Sequence, residues 1–152
     1  MSLYLVIRLR GRMGLSPEHL DTLARMNIPA KHNAALIIDT PSNKGMLNKV
    51  TDYVTWGEID NASLVALLKK RGRLPADERI TENFLKSNGM GTFEDVAAKI
   101  MENGKVPEPI KRTFRLTPPS GGFKKHITRH IKSGGELGYR GAAIAELVKK
   151  MI

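Results

Sequence analysis

The chain has 152 residues, 41% of them hydrophobic, no cysteine and a formal net charge of +10. That length allows one domain whose core can bury roughly 70% of the unfolded surface without staples. The missing thiols exclude a disulfide framework and any thiolate site for zinc or iron–sulfur, and no run approaches the ~20 apolar residues of a membrane-spanning helix. The opening MSLYLVIRLRG has no long apolar region or small-residue cleavage site and predicts no signal peptide, and the absence of cysteine fits a reducing, cytoplasmic setting.

Leu3–Leu9 is rich in β-formers and predicts a first strand, followed by the loop Arg10–Leu15. Ser16 and Pro17 then make a good N-cap and first helical residue, and Leu20, Leu23 and Met26 recur at helical spacing. Ala34–Asp39 reads as a buried strand, Thr40-Pro41-Ser42 as a turn, and Met46, Leu47 and Val50 as the apolar face of a second helix. Tyr53–Ile59, with β-branched and aromatic residues, predicts a third strand. The order βαβαβ over residues 1–59 predicts an α+β fold: a small ferredoxin-like module with both helices on one face of the sheet.

Residues 60–152 predict a helical extension. Leu64, Leu67 and Leu68 form a stripe that stops at Gly72, and Thr81–Asn88 is a short helix ended by Gly89. Thr92, with an acid three residues on, opens a third helix that buries Val96, Ile100 and Met101. Phe114–Leu116 makes a brief strand and Ala142–Met151 a final helix. Between them lies TPPSGGFKKHITRHIKSGGELGYRG, residues 117–141, a basic Gly/Pro-rich loop with no apolar period long enough to bury a face.

The charge is concentrated there. Residues 1–60 and 61–110 are each net +1, whereas 111–140 hold eight Lys/Arg against one acid, net +7. A cationic block predicts a polyanionic partner. A solvated tail is the bland alternative. Against it, Phe123, Ile127, Ile131, Leu137 and Tyr139 are interleaved with the charges, and the final helix re-anchors the chain. An aromatic content of 5% argues against a stacking platform for single strands, so recognition of folded RNA by shape and backbone suits the loop better.

No catalytic constellation emerges, which predicts that the protein is not an enzyme and carries no cofactor. His126 and His130 are four apart, as two ligands on one helix face would be. Ile-Thr-Arg between them and basic flanks predict solvated or RNA-facing histidines and no metal site. Gly89-Met90-Gly91 before a helix could seat a phosphate, but reads better as a C-cap followed by an N-cap. Gly121–Lys125 lacks the spacing and the Ser/Thr of a phosphate-binding loop.

Asp39–Val50, DTPSNKGMLNKV, closely resembles the D-T-P-x-x-x-G-M-[IL]-x-K-V signature of the large-subunit ribosomal protein L-thirty family, whose eukaryotic relative is called L-seven. Thr22-Leu23, Met26-Asn27-Ile28 and Thr55-Trp56-Gly57 fit as well. Further on, Phe114–Lys125 resembles the F-x-L-x-x-P-x-x-G-x-K element of the archaeal and eukaryotic form, and Gly134–Arg140 its G-G-[DE]-x-G-x-R element. The chain is near the archaeal length and lacks a long basic N-terminal arm, so the resemblance is to the archaeal form. Lys31-His32-Asn33 departs from the Arg-Lys pattern common in bacteria.

The resemblance implies a structural constituent of the large ribosomal subunit that supports translation. Its partners would be large-subunit rRNA close to the 5S RNA, the 5S RNA itself and neighbouring ribosomal proteins, with no membrane. A free-standing RNA-binding or regulatory protein is the alternative. The expected RNA contacts are Arg8, Arg10, Arg12, Lys31, Lys44, Lys49, Arg115, Lys124, Lys125, Arg129, Lys132 and Arg140. Lys44 is expected to meet RNA together with the arginine loop, Lys49 less so, and Thr117–Gly138 to be ordered only by RNA.

Overall fold

A computed structural model of the chain describes residues 2–152. The first strand, β1 (Leu3–Arg8), is buried along its whole length. Its side chains alternate between two cores. Tyr4 and Val6 point to one; Leu3, Leu5 and Ile7 point to the other. A strand with both faces covered must be central, and β1 pairs antiparallel with β2 (Asn33–Ile38) on one side and β3 (Val54–Glu58) on the other.

Two short helices cover the Tyr4 face. Ser16 caps α1 (Pro17–Arg25) by accepting from the His19 amide, and Leu23 is fully buried. The Thr40-Pro41-Ser42 stretch is no turn but the start of α2 (Pro41–Lys49): Thr40 Oγ1 accepts from the Asn43 amide at 3.2 Å, and Pro41 takes the first helical position. Leu23, Met26, Ile28, Leu47 and Val50 pack on Val6, Val54 and Trp56. The module is thus ferredoxin-like, as predicted, with both helices on one face.

The opposite face is covered by the extension. Here α3 (Asn61–Arg71), α4 (Glu82–Ser87), α5 (Phe93–Asn103) and α6 (Ile144–Met151) close over Leu3, Leu5 and Ile7 through Leu64, Leu67, Leu85, Val96, Ile100, Leu147 and Val148. Thr92 and Asp95 form a complete capping box at the start of α5. The final helix starts two residues later than predicted, after a 3-10 turn at Gly141–Ala143.

Three further strands complete a six-stranded sheet of order β4-β2-β1-β3-β6-β5. The predicted brief strand is β4 (Thr113–Arg115), antiparallel to β2. The other two come from the segment expected to be an unstructured loop. β5 (His126–His130) and β6 (Gly135–Tyr139) are parallel neighbours, and β6 runs parallel to β3 with Thr55 opposite Gly138. Residues 126–139 therefore carry two strands paired onto the module where a loop without regular structure was expected. Residues 117–125 carry no regular secondary structure but are tied at both ends. The Thr117 and Ser120 amides donate to the carbonyls of Met151 and Lys150 at the end of α6, and the Lys125 amide donates to Glu136.

Two glycines of the module predict opposite responses to the same substitution. A Cβ on Gly57 would run into the Gly141 carbonyl and the Ile144 side chain, because the turn before α6 lies directly on β3. A Cβ on Gly45, inside α2, meets nothing within 4 Å. Gly57→Ala should therefore destabilise by about 1–3 kcal/mol. Gly45→Ala should stabilise by about 0.5–1 kcal/mol through lost unfolded-chain freedom. Urea unfolding of the two variants checks both signs.

Candidate nucleic-acid interface

The strand registers bring the connecting segments together. Arg8 lies opposite Val54, Asn33 opposite Arg115, and Gly135 opposite His126. One end of the sheet therefore collects the last residues of β1 and β4 and the first residues of β2, β3, β5 and β6. Arg10, Arg12, Lys31, Arg115, Lys124 and Lys125 sit in or beside the segments leaving and entering there. Arg129 and Lys132 add to it from the outer edge, on β5 and the 3-10 turn that follows it.

Most of these side chains are available. Arg12, Lys31, Lys125, Arg129 and Lys132 are exposed and have no ion-pair partner among the described residues. Arg10 lies over the Tyr53 ring at 5.3 Å and donates to the Asp52 carbonyl. Arg115 and Lys111 share Asp77, at 3.1 and 2.8 Å, and the Lys111 hydrogen bond followed by the Arg115 charge holds that carboxyl below its ordinary pKa. Lys124 faces Glu146 at 3.7 Å with both side chains well exposed, a weak pair in water.

Two expected contacts are internal. Arg8 has no exposed surface; its Nη1 donates to the carbonyls of Ile28 and Pro29 and its Nε to that of Arg10. It holds the α1–β2 connection against the end of β1, and burial lowers its pKa from the ordinary arginine value. Arg140 is paired with Glu136 at 2.6 Å, their side chains 12% and 10% exposed. Its Nε also donates to Thr55 Oγ1 at 2.9 Å, while Thr55 Oγ1 donates to the Gly138 carbonyl at 2.9 Å. Neither arginine presents its charge to a partner.

The helix α2 also divides differently from the expectation. Lys44 pairs with Asp39 at 2.8 Å beside Tyr4, near the start of β1. The arginine loop follows the other end of that strand, roughly 20 Å away at ~3.3 Å per residue. Lys49 instead reaches Glu18, at the start of α1 and near Tyr53, so it is the α2 lysine on the basic end. The expected grouping of Lys44 with Arg10 and Arg12 is thereby corrected. No group of acids and histidines able to hold a metal occurs among the described residues, and none of their helices is long and apolar enough to cross a membrane.

His32 was not among the expected contacts. Its ring stacks on Phe123 at 6.4 Å with an interplanar angle of 20°, joining the β2 entry to the basic loop. Its departure from a basic-residue pattern was the one signal the sequence offered.

A family model described as "Ribosomal protein L30p/L7e" matches residues 4–54, which take in nearly all of β1, both helices on the Tyr4 face and β2, and end at the start of β3. The "Large ribosomal subunit protein uL30" of Thermofilum pendens is 46% identical over 157 residues, spanning 100% of both chains. Proteins of the same name from Nanoarchaeum equitans and Ignicoccus hospitalis are 42% and 44% identical, over at least 98% of each chain. The chain belongs to the L30p/L7e family of ribosomal proteins. Full-length coverage by these archaeal relatives extends the likeness from the module to β4, β5, β6 and α6.

In this L30p/L7e member, burial separates structural from surface cations. Arg140→Ala leaves a buried carboxylate unpaired and should cost about 3–5 kcal/mol. Lys125→Ala, with its side chain in water, should stay within about 0.5 kcal/mol. Chemical denaturation distinguishes them. His32 gives a second expectation. Burial first, then the Lys31 charge, lower its pKa below the ordinary value, and its buried Nδ1 has no partner. The folded state thus favours neutral imidazole. That stability is present above about pH 6.5 and falls as pH drops from there toward the folded-state pKa. In urea melts at pH 7.5 and 5, His32→Phe should lose less stability than the parent chain.

Proposed function

We propose that this chain is a structural constituent of the large ribosomal subunit in the cytoplasm, and that it binds large-subunit rRNA close to the 5S RNA through the basic end of its sheet. The observation that carries the reading is the convergence of exposed, largely unpaired cations from five separate segments onto that end, in a family whose relatives bear ribosomal names. The contact set is Arg10, Arg12, Lys31, Lys49, Arg115, Lys124, Lys125, Arg129 and Lys132. Arg8 and Arg140 are supports behind it. Lys44 would touch RNA only through a separate surface. The rRNA and neighbouring ribosomal proteins are the partners, and the chemistry is charge neutralisation and positioning, not turnover.

Strands beneath the basic end hold the backbone that carries its cations, and such pre-organisation lowers the ordering cost of binding. If about four to six cations meet phosphates, affinity for folded rRNA should fall by about two to three decades over a fourfold rise in salt near 0.1 M. Replacing Lys124, Lys125, Arg129 and Lys132 together with glutamine should flatten that slope. Filter binding across a salt series measures it, and an unaltered slope in the fourfold variant would sink the assignment. Co-sedimentation with large subunits at high salt separates a ribosomal constituent from a free-standing RNA-binding protein, and cross-linking to 5S RNA tests the placement.

A further inference from the structure

A cavity of about 460 Å³ lies between the 122–125 segment, β6 with the 3-10 turn before it, and α6. Its wall is apolar: half-buried Phe123 and Ile131 and buried Leu147. Its rim is cationic. Lys124, Lys125, Lys150 and Arg140 line it against two carboxylates, Glu136 and Glu146. Arg140 and Glu136 saturate each other, which leaves three lysines and Glu146 to face an incoming ligand. Lys124 and Lys150 both lie near Glu146, at 3.7 and 3.3 Å, so two ammonium groups flank one point of the rim.

An apolar wall beneath an ammonium-rich rim fits a ligand with a flat hydrophobic part and an anionic part. We propose that this cavity receives one unpaired nucleotide of the RNA, its base against Phe123, Ile131 and Leu147 and its phosphate on Lys124, Lys125 and Lys150. The inference rests on the RNA-binding reading and deepens it. A duplex backbone presents no apolar face to fill such a wall, whereas RNA loops and bulges splay out bases that stack on aromatic side chains. Of the two aromatic residues lining the cavity, Phe123 and Tyr139, it is Phe123 that has a second ring, His32, stacked on it, which steadies its plane. A cavity of this size reconciles the proposal with the chain's low aromatic content: it accommodates one base, not a run of them. The volume lies within the range of sites for small organic ligands, roughly 300–1,000 Å³.

The test uses the full chain and transcribed archaeal large-subunit rRNA. Ile131→Trp fills the cavity, and Phe123→Leu removes the ring while keeping an apolar side chain; thermal melts identify which variants are folded. Loss of one stacked base should weaken binding by about 5- to 150-fold without changing the salt slope. Base-specific chemical probing should show an unpaired base protected by the parent chain and re-exposed with either folded variant. Parent binding that protects no unpaired base, or folded variants with unchanged affinity and probing pattern, would overturn the cavity assignment alone. Absence of rRNA binding by the parent chain would overturn the broader reading and the cavity with it. A separate arm adds AMP, GMP, CMP and UMP to the free protein. Only weak, unsaturated binding up to millimolar concentration is expected; saturation at micromolar concentration would make the occupant a free nucleotide and overturn the RNA assignment.

Discussion

The basic end of this protein hangs from the hydroxyl of Thr55. That oxygen donates to the Gly138 carbonyl and accepts from Arg140, so one side chain on β3 fixes both the backbone and the charge of β6. Arg140 in turn neutralises Glu136, and Glu136 accepts the Lys125 amide, which starts the lysine-bearing segment. The relay runs from the centre of the sheet to its solvent edge in three steps. Each step is a hydrogen bond, and the one between two charges is almost wholly out of water. Such a pair contributes little net stability compared with an apolar pair of the same size, but removing one member is costly. Its contribution here is position: it fixes where the surface lysines begin.

This arrangement separates two uses of arginine and lysine. The arginines that are buried, Arg8 and Arg140, each satisfy several acceptors at once, which the planar guanidinium does well. The cations left at the surface include all three lysines of the 117–141 segment and Lys31 on the strand connection. A net charge of +10 thus overstates what is offered to a partner in one respect and understates it in another. Two charges are spent inside, but the register of the sheet gathers a group of the others, from separate parts of the sequence, onto one end.

The module was legible because its signals are local. Alternation in β1, the Ser16-Pro17 start, the leucine stripe of α3 and the Thr92-to-Asp95 box each sit within one element, and each formed what its pattern demands. The error at Thr40-Pro41 was one of interpretation, since the same residues that make a turn also cap a helix. The strands β5 and β6 were not legible. GELGY carries two glycines and an acid, and what makes it a strand is β3, about eighty positions earlier in the chain, together with an ion pair no period reveals. HITRH is an edge strand with little buried surface, so it leaves no apolar face to read. The buried arginines were partly readable. Arg8 falls in phase with Tyr4 and Val6, which point inward, and Arg140 stands four residues from the only acid of its segment.

The seam between β3 and β6 also sets a schedule for synthesis. Once Glu58 has emerged, the βαβαβ module can close its own antiparallel pairs, but the far edge of β3 stays open until residues 135–139 arrive. At about 5–20 residues per second that interval lasts on the order of 4–16 s. Through it the nascent chain carries an unpaired strand edge beside a sheet face still waiting for α6, the condition in which strands recruit the wrong neighbours. The edge is closed last by the same residues that position the lysines. A chain whose basic end is correctly assembled is therefore one that has finished folding, and an incomplete one would present neither the pattern nor the shape.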